Sequence, residues 1–155
     1  MLTESFIPGL ENQRGYFLKT IACLDEADAA FTPAEGMLSV VRQVAHAANI
    51  VDWFVEGAFR AEGLSEDWEA QARQEAAVST LLEAQGWFNA AYDRALEAVR
   101  SHSWEEWQEP IAPGIMGGAP RAAIFSGMAD HTAHHRGSLA VYARLLGKTP
   151  AMPYM

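Results

Sequence analysis

Apolar positions recur at helical spacing along most of the chain, and no segment alternates apolar and polar residues as a half-buried strand would. From Gln13 to about Ala27, Tyr16, Phe17, Ile21 and Leu24 mark one face and predict a first amphipathic helix. "FTPAEGMLS" offers two starts for the second helix. Thr32 with Pro33 and Glu35 resembles a capping box, while Ser39 stands directly before an apolar run from about Val40 to Ala61. Gly63 breaks that run. The charged stretch "SEDWEAQARQEA" is then expected to form a short exposed helix or helical connection, with Glu66, Asp67 and Glu69 on a solvated face.

A broad apolar arc that includes Leu81, Trp87, Phe88, Tyr92 and Leu96 predicts a third long helix from Val78 to Val99. Prolines and glycines crowd "SWEEWQEPIAPGIMGGAP", so this segment reads as a long ordered loop. The last helix is predicted from about Arg121 to Leu146, with Gly147 as its stop. Four long helices with no strand pattern and no internal repeat bury their stripes most directly against one another. The expected fold is all-α, a four-helix bundle, with residues 1–155 as one domain.

Composition narrows the partners. The formal charge of -9 argues against a surface for nucleic acid or anionic lipid, both of which need clustered Lys and Arg. The single cysteine, Cys23, has no partner for an internal disulfide and reads as a small core residue. No uninterrupted apolar run reaches the roughly 18 residues of a membrane span, and "MLTESFIPGLENQRG" has neither the basic region nor the apolar core of a signal peptide. The expectation is a soluble cytoplasmic protein with a small-molecule substrate.

The candidate chemistry lies in "DHTAHHRGS", which holds three of the chain's five histidines. Residues four apart on a helix differ by about 40° in direction and about 6 Å in height, so His131 and His135 can converge on one ion. His131 and His134 also lie near one another, but the stripe Ile124, Met128, His131, His135, Leu139, Tyr142 and Leu146 places the first pair in the bundle-facing seam. His134 falls at its margin. Buried imidazoles need partners, which either a shared cation or hydrogen bonds within a polar core would supply. His46, inside the apolar run of the second helix among Val44, Ala45, Ala47 and Ala48, completes a set of three. Three neutral imidazoles suit Zn, Ni or Fe and leave a coordination position open for water or substrate. His102 sits in the last turn of the third helix, where the carbonyl-rich terminus accounts for it.

"SVVRQVAHAA", together with "DHTAHHRGSLAVYARLLGKTPAMPY", resembles the DinB/YfiT superfamily of metalloenzymes. The resemblance implies a four-helix bundle of variant up-and-down topology and a metal triad of His46, His131 and His135. It further implies homodimers and, in some members, transferase or isomerase activity with low-molecular-weight bacterial thiols. Ser138 departs from the glutamine often found after "HRG" in that family.

Two classes of function follow. In one, a divalent metal lowers the pKa of a thiol or water for attack on an electrophile, Arg136 orients an anionic group, and Asp52 or Asp130 fixes an imidazole tautomer. In the other, the protein is a non-catalytic metal-binding dimeric module, structural or stress-related. Trp53, Trp87, Trp104 and Trp107 are expected to pack in the bundle, with Trp53 also placed to line a cavity near His46.

Overall fold

The computed structural model describes residues 3–154 and contains six α-helices among them: α1 (Ile7–Ile21), α2 (Val40–Phe59), α3 (Trp68–Ala77), α4 (Leu81–Ser101), α5 (Trp104–Gln108) and α6 (Ile124–Leu145). The described residues contain no strand. Short 3-10 turns at Thr3–Phe6, Glu26–Asp28 and Arg121–Ala123 lie between or before them. None of these helices is long and apolar enough to cross a membrane.

Local chemistry explains the ends. α1 starts six residues before the predicted Gln13, because Pro8 lies in its first turn, where a missing N–H leaves no hydrogen bond unmade. It stops at Ile21, and Asp25 and Asp28 then form a reciprocal capping box around the next 3-10 turn. Between the two candidate starts of α2 the structure selects Ser39, whose Oγ accepts from the Arg42 N–H. The Thr32 hydroxyl instead faces the Ala30 carbonyl.

Thr80 and Glu83 cap α4 reciprocally. Gly147, at φ +75°, ends the last helix in the left-handed conformation that glycine adopts without strain.

The Pro/Gly-rich segment departs from the expected loop at its beginning. Ser103 and Glu106 form a third capping box, sufficient to start the one-turn helix α5, which carries the buried Trp107 into the core. The remainder is irregular, and its neck is closed by hydrogen bonds between Ile111 and both Gly118 and Ala119.

The four long helices form the bundle. α2 packs most extensively on α4 and also meets α6, while α1 packs on α6 and α4. Phe17 of α1 stacks on Phe88 of α4 at 4.2 Å between ring centres, and Tyr92 and Tyr142 lie buried in the same core. α2 and α6 approach closely because Gly127 has no side chain: a Cβ there would lie 2.7 Å from the Phe54 ring. This contact lies one turn before His131. α3 rests on α2 and is largely exposed, as its charge predicts, with Glu75 the exception.

Candidate metal centre

The α2–α6 contact brings His46, His131 and His135 together, with one potential ligand atom from each lying within 4.8 Å of the others. The Nε2 atom of His131 stands 3.2 Å from Nε2 of both His46 and His135. Hydrogen bonds on the opposite side of two rings decide what those nitrogens carry.

The Tyr142 hydroxyl donates to the Leu38 carbonyl at 3.0 Å, so its oxygen is left to accept from the Gln43 side-chain N–H at 3.2 Å. That turns the Gln43 carbonyl oxygen toward His135 Nδ1, which must donate to it. His135 Nε2 therefore carries a lone pair. By the same reasoning His46 Nδ1 donates to Glu75 Oε1 at 2.8 Å, and its Nε2 also carries a lone pair.

His131 Nε2 faces both lone pairs and has at most one hydrogen to give. A cation bound by all three nitrogens resolves this conflict. Ligand bonds of about 2.0–2.1 Å to zinc in a tetrahedral site place neighbouring nitrogens about 3.3 Å apart, close to the spacing on either side of His131. The residues therefore fit a three-imidazole metal site. His131 Nδ1 is buried without a partner, so no hydrogen bond on that side orients the ring.

Electrostatics favour neutral imidazoles. Burial, and then the neighbouring histidines, push His135 down to about 3 and His131 down to about 4 from the ordinary 6.5. Burial by itself would raise the Glu75 carboxyl, but hydrogen bonds from His46 and Asn49 outweigh it and hold the group below its usual range. An ionised carboxylate behind a ligating histidine fixes its tautomer and increases its basicity.

The depressed histidine pKa values carry a stability consequence. Below pH 6.5 the unfolded chain takes up protons that folded His131 and His135 refuse, so the metal-free protein should lose stability as pH falls from about 6.5 toward about 4. Thermal melts of chelator-treated protein across that range are expected to show a falling Tm. The fall should be shallower in a His131→Leu/His135→Leu variant, and an equally steep fall there would refute the assignment.

The two histidines left out of the set, and the other expected site residues, lie elsewhere. His134 is exposed and meets the His135 ring edge-on, while His102 stacks on Phe59 at 3.8 Å. Neither Asp52 nor Asp130 fixes a tautomer in the centre. Asp52 accepts from the Trp87 indole and from the Arg94 guanidinium, and Asp130 is exposed on α6. Arg136 points away from the histidines and donates to the Tyr154 hydroxyl at 2.8 Å, near the Tyr16 ring. Ser138 returns its hydroxyl to the His134 carbonyl of its own helix. Glu75 and Gln43 are the residues that sequence reasoning missed. Gln43 lies one turn before His46 and is legible by helical spacing, whereas Glu75 has no such signal.

Known proteins share this architecture. The model of the DinB family matches residues 3–155. A solved structure, a histidine-to-alanine mutant of the mycothiol-dependent maleylpyruvate isomerase, is similar to this chain with a TM-score of 0.73 at 14% sequence identity. The match covers 88% of this chain and 60% of that one, a likeness of fold. No curated protein matches the chain.

Proposed function

The chain belongs to the DinB family, and from that premise we propose that it is a metal-dependent enzyme joining a low-molecular-weight thiol to a small electrophile, or isomerising one. His46, His131 and His135 would hold one divalent transition metal, zinc, nickel or iron. The observation that carries this reading is the convergence of Nε2 atoms on one point, two of them deprived of hydrogen by Glu75 and Gln43. Bound there, a divalent metal supplies the positive charge that keeps a thiol or a water deprotonated near neutral pH.

The chain's own groups favour a thiol as nucleophile. Glu75 is ionised but already accepts hydrogen bonds from His46 and Asn49, so it serves to hold a ligand. Tyr92, hydrogen-bonded to Thr132 beside His131, is pushed up to about 12 by burial and stays protonated. Among the described residues no carboxylate or phenol other than Glu75 hydrogen-bonds to the three histidines. A thiol, with a pKa of about 8.5, needs less help to ionise than water does. The His46 side chain is 27% exposed, so protein does not fully seal the centre. Similarity to a mycothiol-dependent isomerase supports the same choice.

The test is thiol consumption by protein loaded with zinc, nickel or iron, using bacillithiol, mycothiol or glutathione with a panel of small electrophiles. At least one combination should run about tenfold or more faster than with His131→Ala protein. The same preparation is expected to sediment as a homodimer, covering Val141 and Leu145, exposed one turn apart on α6. Absence of turnover with every metal and thiol would leave the metal-binding dimeric module as the better account.

A further inference from the structure

A large cavity lies away from the histidines. A cleft of about 520 Å³ runs between α2, the segment around α3, and α4, and none of the three histidines lines it. Its aromatic walls are Trp53 and Trp87. Both indole N–H groups are already committed, Trp53 to the Ser65 carbonyl and Trp87 to the Asp52 carboxylate, each at 2.7 Å. The rings are thereby held in place, and what remains for a ligand is their apolar surface.

Around them stand three side-chain amides, Asn49, Gln71 and Gln74, each able both to donate and to accept. Gln71 Nε2 is buried and has no hydrogen-bond partner. Gln71 itself lines the cleft, so a turn of its flexible side chain would give this unpaired donor an acceptor there. The charges nearly cancel: Arg94 is paired with Asp52, Asp67 caps α3 by accepting from the Ala70 N–H, and Glu56 and Arg60, one turn apart at the end of α2, are of opposite sign. Such a lining offers little net field for a polyanion or a polycation.

We infer that this cleft binds an uncharged, hydroxyl-rich ring of the sugar class. Hydroxyl groups, like amides, donate and accept at once, and the C–H face of such a ring packs on indole surface. A purely apolar ligand would leave the amides desolvated and unpaired. Asn49 places the site two hydrogen bonds from the histidine centre, since its side-chain N–H donates to the same Glu75 oxygen that accepts from His46. The cleft would bind its sugar whatever the histidines hold.

The probes are methyl α-glucoside and N-acetylglucosamine, titrated into the full-length, isotope-labelled protein while the indole N–H signals are followed by NMR. Saturable shifts are expected at Trp53 and Trp87 with at least one sugar, while the buried Trp107 stays unmoved. Glucose 6-phosphate and cyclohexanol should each bind about tenfold more weakly or worse. Gln71→Leu should weaken the sugar by about tenfold with Tm unchanged or raised, because the unpartnered donor it removes makes no hydrogen bond in the free protein. The sugar assignment is overturned if neither sugar saturates, if cyclohexanol or the phosphate binds as well, or if Gln71→Leu binds like the parent.

Discussion

Parent protein is expected to emerge from purification with about one metal ion per chain, and His46→Ala, His131→Ala or His135→Ala protein with only a small fraction of that. Structural zinc sites bind with roughly 10–16 kcal/mol, so removal of one of three imidazoles should weaken affinity by on the order of a thousandfold. The geometry makes the three losses comparable, because His131 Nε2 is 3.2 Å from each of the other two and no fourth side-chain donor joins the cluster among the described residues. Elemental analysis and competition with a chelating dye read the effect directly. His134→Ala and His102→Ala are the controls and should retain parental metal content, since one ring is exposed and the other stacks on Phe59. Full metal content in any of the first three variants would remove that residue from the set.

The next largest effect should come from a residue that touches no metal. Glu75→Gln keeps the size of the side chain but removes the negative charge behind His46, and metal affinity is expected to drop about 10–100-fold. The carboxylate acts here through one hydrogen bond of 2.8 Å, with Asn49 donating to the same oxygen. A neutral amide in its place can turn either its oxygen or its N–H toward the ring, so the His46 tautomer is no longer enforced. A distinguishing readout is the pH dependence of metal loading, which should move to higher pH because the more weakly held metal competes less well with protons for the ligands. Parental affinity and an unmoved profile in Glu75→Gln would show that the carboxylate only packs the α2–α3 contact.

Much of the fold follows from periodicity. α2, α4 and α6 lie within a few residues of their predicted spans because their apolar stripes are long and their ends carry ordinary caps or stops. α1 begins early, since Pro8 looks like a breaker by composition but is harmless in a first turn. α5 escapes a reading by composition because its short capping signal lies at the edge of a Pro/Gly-rich run. His131 and His135 can be separated from His134 along one helix, because a stripe has a definite direction around the axis. Their meeting with His46 could only be expected from the seam and the family resemblance.

Glu75 shows where local reading ends. It sits in a run so charged that every carboxylate there looks solvated, and nothing in its spacing distinguishes it from Glu69. By itself the sequence determined an all-helical chain, the helix faces that turn inward, and the separation of His131 and His135 from His134, because these depend on a repeat of about 3.6 residues that each helix carries within itself. The tertiary structure alone decided the tautomers of His46 and His135, the diversion of Asp52 and Arg136 to other partners, and the cleft beneath α3. Those depend on which polar group stands opposite which across two helices, a distance and an angle that no pattern along a single helix contains.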